Sequence, residues 1–211
     1  MDLDRWWPDL LGDQTQIRDR LVSAYDDPAR GYHDLRHLAE VFARLDELMP
    51  DYADQPAVDR DAVLLAAWFH DAVYESSTSG GDGNEERSAV LAERELSMVD
   101  APPRLVDEVA RLVRLTAHHR PAPDDVGGQL LCDADLAILA ADPGRYQEYA
   151  GGVRAEYADV PDDAFRTGRL AILQDLLAKD SLFHTARARE QWEAGARENV
   201  GAELIALAGA S

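Results

Sequence analysis

Ionisable residues interrupt the apolar stretches of this chain in three places. Tyr32-His33-Asp34-Leu35-Arg36-His37 sets two histidines four residues apart, which on a helix puts both on one face. His70 and Asp71 break the run LLAAWFHDAVY, and Asp133 and Asp135 break LLCDADLAIL. A carboxylate buried without a partner costs several kcal/mol or gives up its charge, so something must compensate these groups. A bound cation does so directly. One core histidine alone reads as a packed, hydrogen-bonded residue, and one helical aspartate as a cap or ion-pair partner. Two interruptions plus a third histidine cluster shift the reading toward a site. Adjacent His70 and Asp71 point about 100° apart around a helix, yet a long imidazole and a short carboxylate can still meet on one ion between helices. Nitrogen with carboxylate oxygen suits a divalent metal of the Mn, Fe, Co, Ni or Zn kind better than a thiolate site does. Four protein ligands would leave octahedral positions open for water and substrate, as hydrolytic metal catalysis requires.

The elements that must hold these groups are helical. Leu35, Leu38, Val41, Phe42, Leu45 and Leu48 form one apolar stripe, closed by Pro50. Residues 57–74 are apolar nearly all round, the pattern of a buried helix. Ser76 to Gly83 reads as a flexible loop, and Asn84 as an N-cap with Glu85 and Glu86 in the first turn. Further helices are predicted near 85–98, 103–118, 129–141, 143–157, 162–179 and 186–208, broken at Pro102-Pro103, Pro121 to Gly128, Pro143-Gly144 and Pro161. Strand-like alternation is almost absent. The fold expected is all-α in a single domain over 1–211, with the metal-site core at about 30–140 and C-terminal helices at about 143–208.

The chain has 41 acidic and 21 basic residues, a formal charge of −20. That balance repels a polyanion, and without a basic stripe long nucleic acid is not an expected partner. A small phosphorylated molecule is compatible, because a metal and a few arginines can reverse the field locally. No apolar run approaches the roughly 18–20 residues a membrane span needs, so no membrane partner is expected. The acidic, proline-broken start MDLDRWWPDL is unlike a signal peptide, and the single cysteine, Cys132, fits a reducing compartment and a packing role. The localisation expected is cytoplasmic; a homodimer is left open. SGGDGN lacks the lysine and preceding strand of a phosphate loop, and there is no G-x-S-x-G nucleophile motif.

With these residues in view, the chain resembles the HD superfamily of metal-dependent phosphohydrolases. It is most similar to a bacterial branch of predicted HD phosphohydrolases carrying stretches like WFHDAVY, NEERSA and DADLAIL, over about Tyr32 to Thr185. The resemblance implies an all-helical HD domain and a divalent metal (Mn, Fe, Co, Ni, Zn or Mg) held by His37, His70, Asp71 and Asp135. Asp135 is preferred to Asp133 because the family's last aspartate commonly follows alanine, as in Ala134-Asp135-Leu136; Asp133 then becomes a supporting or capping residue. YHDLRH also looks like the YHNxxH of cyclic-nucleotide phosphodiesterases, which makes His33 the candidate general acid, although Asp34 replaces their asparagine. Family members often add a second metal through histidines between the His-Asp pair and the last aspartate. His118 or His119 could serve so here, while the helix dipole alone would also favour a histidine at that helix end. Glu86 is a candidate supporting residue, Arg166 and Arg169 are candidates for a substrate phosphate, and His184 is expected at the surface.

The function implied is hydrolysis of a small phosphoester, plausibly a nucleotide, with His33 and Asp71 as catalytic groups. Two alternatives stand beside it. One is an HD-type di-iron oxygenase using His118 or His119, and the other a non-catalytic metal-containing module that binds a nucleotide as a sensor.

Overall fold

Residues 3–12, 14–55, 58–75 and 83–209 are described by the computed structural model of the chain. Their helices are α1 (Thr15–Tyr25), α2 (Leu35–Leu48), α3 (Arg60–Phe69), α4 (Asn84–Ser97), α5 (Pro103–Leu115), α6 (Val126–Leu136), α7 (Pro143–Glu156), α8 (Asp162–Ala178) and α9 (Ala186–Gly209), and no strand occurs among the described residues. The all-α expectation is met. The expected loop at Ser76 to Gly83 lies, over 76–82, outside the described residues.

The most apolar helix is the central one. Every residue of α3 from Ala62 to Phe69 is buried, and α3 packs against α2, α4, α5 and α6. Its first turn is closed by Asp59, whose carboxylate accepts from the Ala62 amide at 3.0 Å. On α2 the predicted stripe Leu38, Val41, Phe42, Leu45 and Leu48 faces inward. Phe42 stacks on Trp6 at 4.9 Å, which draws the N-terminal segment onto the same core. α4 pairs with α5, α8 with α9, and α9 closes over a 3-10 turn, Ala137–Ala140, that follows α6. One contiguous apolar cluster runs through all of these, giving one domain. No helix among the described residues is long and apolar enough to cross a membrane.

Several predicted boundaries move. α2 begins at Leu35, because Asp34 caps it by accepting from the Arg36 and His37 amides at 2.9 and 3.0 Å. His33 therefore precedes the helix, and the i, i+4 relation with His37 is not a helical one. α3 stops at Phe69 rather than running to 74, leaving His70 and Asp71 in a turn. Asn84 is the first residue of α4, not its cap; its side-chain amide instead bonds both the N–H and the carbonyl of Glu75. α5 ends at Leu115, before the two histidines. α6 starts earlier than expected, since Asp125 caps it through the Gly128 amide at 2.9 Å, and Gly128 sits where a Cβ would collide with Leu115 and the Asp125 carboxylate. α1 has no counterpart in the sequence prediction; it buries only Ile17, Leu21 and Tyr25.

One contact joins the two halves of the chain with no side chain between them. Gly31, before α2, and Gly152, in α7, touch backbone to backbone, and a Cβ on either would run into the other's carbonyl oxygen. That contact brings the last turn of α7 against Tyr32 and His33.

Candidate metal centre

The turn after α3 is held by groups from earlier in the chain. The Tyr25 hydroxyl accepts from the Asp71 amide at 3.1 Å. The Arg30 guanidinium donates to the carbonyls of His33, Asp71 and Ala72 at 2.8, 2.7 and 3.1 Å, tying the segment before α2 to the turn. These bonds satisfy backbone groups that a continued helix would have used, which is why α3 can end inside an apolar run. His70 Nδ1 lies 2.8 Å from the Ala67 carbonyl, so Nδ1 carries the proton and Nε2 presents a lone pair.

That lone pair points into a set of acceptors. His70 Nε2 is 3.1 Å from His37 Nε2, 3.1 Å from Asp71 Oδ2 and 3.7 Å from Asp135 Oδ1. His37 Nε2 is 3.4 Å from Asp71 Oδ2 and 3.3 Å from Asp135 Oδ1. His37, His70 and Asp135 offer ligand atoms that all lie within 4.8 Å of one another, and both histidines are buried. Two donors about 2.1 Å from a shared ion sit about 3.0 Å apart in an octahedron and about 3.4 Å apart in a tetrahedron. Four of the five spacings fall in that range, and the fifth, His70 Nε2 to Asp135 Oδ1, is wider at 3.7 Å. Ionised carboxylates and a Nδ1-protonated imidazole turn acceptors toward one point, a set that protons on the imidazoles or a cation at the centre would balance, and these residues fit a cation.

The electrostatics say the same. Burial works to lower the His37 pKa, but the hydrogen bonds and charges of Asp135 and Asp71 outweigh it and raise it to about 10. His70 is likewise raised against burial, chiefly by the Asp71 charge. Burial would raise both carboxylates, yet His70 and neighbouring imidazoles hold Asp71 well below the usual range, and His119 and His37 do so for Asp135. Two buried carboxylates thus stay anionic and draw protons onto the imidazoles that a metal would displace.

The remaining candidates divide sharply. His119 reaches the group, with Nε2 2.7 Å from Asp135 Oδ2; it does so from a left-handed backbone, φ 50°, in the turn after α5. His118 is exposed and stays outside. Asp133 faces away and accepts from the amides of His184 and Thr185 at 2.8 and 2.7 Å, closing the start of α9. His184 is half-buried rather than at the surface, its ring 3.3 Å from the His119 carbonyl. Glu86 forms a two-point ion pair with Arg114 at 2.7 Å, away from the group. Arg166 pairs with Asp163 at 3.2 Å. Arg169 is buried and gripped by Glu203 at 2.8 and 2.9 Å and by the Tyr149 hydroxyl at 3.0 Å. Burial pushes the Cys132 thiol up, which keeps it a packing group.

His33 has a partner that sequence reasoning missed. Its Nδ1 lies 2.8 Å from Glu156 Oε2, while Glu156 Oε1 accepts from the Tyr32 and His33 amides at 2.8 and 2.9 Å. The Tyr74 hydroxyl adds a fourth bond at 2.9 Å, and its ring stacks on His33 at 4.2 Å. Burial alone would raise the Glu156 pKa, but the His33 ring and the two amides lower it to about 2. An ionised acceptor fixes the proton on His33 Nδ1 and leaves Nε2 as the exchangeable nitrogen. Tyr25, Arg30 and Glu156 each look like an ordinary surface-type residue in the sequence, and no local pattern marks them.

Two cavities flank the group. One of about 270 Å³ is lined by His37, Asp135, Arg36, Glu40 and Arg145 among others. The other, of about 400 Å³, is lined by His33, His119, Asp135 and several aromatic rings. Fold and site together define an all-helical, single-domain protein with a buried His37–His70–Asp135 group that could hold a metal ion. Compared with protein-family models, curated proteins and solved structures, the chain matches none.

Proposed function

We propose that the protein is a metal-dependent phosphohydrolase of the HD type that cleaves a small phosphoester. The observation that carries this reading is the convergence of His37, His70, Asp71 and Asp135 at spacings of 3.1 to 3.7 Å, beside a histidine whose tautomer is fixed. A divalent ion held by these four residues would polarise a phosphoryl oxygen and lower the pKa of water toward neutrality. His33 Nε2 is the atom that hands a proton to the departing oxygen, because Glu156 occupies Nδ1. Burial of His37, His70 and Asp71 keeps bulk water from the ligands and strengthens their charges.

The test is metal analysis and phosphate release with wild type, His70→Ala and Asp71→Ala, supplied with Mn, Co, Ni, Mg or Fe. Wild type should release phosphate, while both variants should lose metal and at least about 10³-fold in turnover with helical content retained. Wild-type turnover in both variants would sink the site, and a wild type that takes up no metal would sink the metal.

A second reading rests on His119. Asp135 turns one oxygen to His37 and the other to His119, an arrangement suited to two ions and hence to a di-iron oxygenase. Two irons per chain with oxygen consumption and no phosphate release would favour it.

A further inference from the structure

The larger cavity is lined mostly by carbon. Leu139, Tyr149, Tyr157, Phe165 and Ile172 form much of its wall between α7 and α8, and Asp135, His33 and His119 form the end that meets the metal group. Ile172 is 55% exposed at its rim and Phe165 is only half-buried, so apolar surface is turned toward the opening. The Tyr157 and Phe165 rings lie 6.0 Å apart, and Tyr149 sits 4.6 Å from Tyr32, which present ring edges and faces to an occupant. The only guanidinium among the described residues lining this space, Arg169, is committed to Glu203 and Tyr149, leaving no free cation for a second phosphate. Tyr32 lines both cavities, and its hydroxyl is buried with no hydrogen-bond partner among the described residues. An oxygen on an occupant would satisfy it.

We propose that this cavity receives the alcohol half of the substrate, and that the substrate is a phosphate monoester of a large apolar alcohol bearing an aromatic ring system. The assignment rests on the phosphohydrolase reading for its chemistry. Water supplies the incoming oxygen; its bond to phosphorus forms as the bond from phosphorus to the alcohol oxygen breaks. The electron pair leaves on that oxygen, which takes its proton from His33 Nε2, giving the free alcohol; both hydrogens of the attacking water stay on the inorganic phosphate formed, and one returns through solvent to His33 Nε2. A single phosphoryl group at the metal and an apolar body in the cavity match the charge distribution on the two sides of Asp135.

The test compares ethyl phosphate with 2-(2-naphthyl)ethyl phosphate, whose leaving groups are both primary alcohols. The naphthyl ester should show kcat/KM at least about thirtyfold higher. Gly168 lines the cavity, and a Cβ there meets nothing within 4 Å, so Gly168→Phe adds a ring at the cavity wall from an unobstructed Cβ. Fluorescence titration of 2-naphthylethanol, which needs no turnover, should give affinity at least about tenfold weaker in that variant with the melting temperature kept. Ile172→Asp at the exposed rim repeats the test should Gly168→Phe not fold. Equal kcat/KM for the two esters, or unchanged naphthylethanol binding in a folded variant, would overturn the assignment. Naphthylethanol binding lost in the variant, with neither ester hydrolysed by wild type, would uphold the cavity and overturn the hydrolase reading.

Discussion

Glu156 illustrates how one carboxylate can serve both chemistry and stability. It accepts from His33, two amides and Tyr74, and the His33 ring and the two amides hold its pKa at about 2 against an ordinary 4.5. A depressed carboxylate contributes stability in full above its unfolded pKa and loses it as pH falls through the folded one. The contribution of Glu156 is therefore complete above about pH 4.5 and fades from there toward about pH 2. Urea midpoints for wild type should drop between pH 5 and pH 3 by more than those of Glu156→Gln, which has no proton to gain. The same variant releases the His33 proton to either nitrogen. Its kcat should fall about 10²-fold or more, with KM and metal content little changed; an equal fall in metal content would show that Glu156 supports the ligands instead. At this scale the sequence was informative about which residues converge, since buried ionisable residues stand out in apolar runs. It could not choose between His118 and His119, because that choice turns on the left-handed backbone of His119, which no side-chain pattern announces.

Helices with an apolar stripe were legible, and their ends were not. α2 declares itself through its stripe, α3 through an unbroken apolar run and α5 through the prolines before it, whereas α1 buries only three residues and does not. The end of α3 matters most, because it converts His70 and Asp71 from neighbours on a helix into neighbours in a turn, able to face one point. What stops the helix is Arg30, far away in sequence, taking the Asp71 and Ala72 carbonyls at 2.7 and 3.1 Å as well as that of His33. Arg30→Ala should leave those carbonyls unpaired and destabilise the fold by about 2–3 kcal/mol, and it should weaken metal retention by letting the turn relax. Thermal melting with and without added metal measures both effects. A variant that melts like wild type and keeps its metal would mean the turn is fixed by α3 and Tyr25 alone.

On the scale of the whole molecule, the candidate site draws on residues from Tyr25 to Glu156, and His33 and Glu156 are 123 positions apart. Hydrophobic patterning predicts that such helices pack, but not which faces meet, so the His33–Glu156 contact and the cavity between α7 and α8 emerge only from the assembled fold. The Gly31–Gly152 contact leaves no room for a side chain where the two segments meet. Gly152→Ala should cost about 1–3 kcal/mol and reduce activity further than its loss of stability explains, as Glu156 is pushed off His33; activity measured well below the melting temperature separates the two. A mutational scan would then score positions 31 and 152 as intolerant as His37, His70 and Asp135, though neither carries a side chain. Because either methyl group forces the same separation, the two substitutions together should do little more harm than one, a pattern of epistasis that would mark a backbone hinge point rather than a pair of catalytic residues.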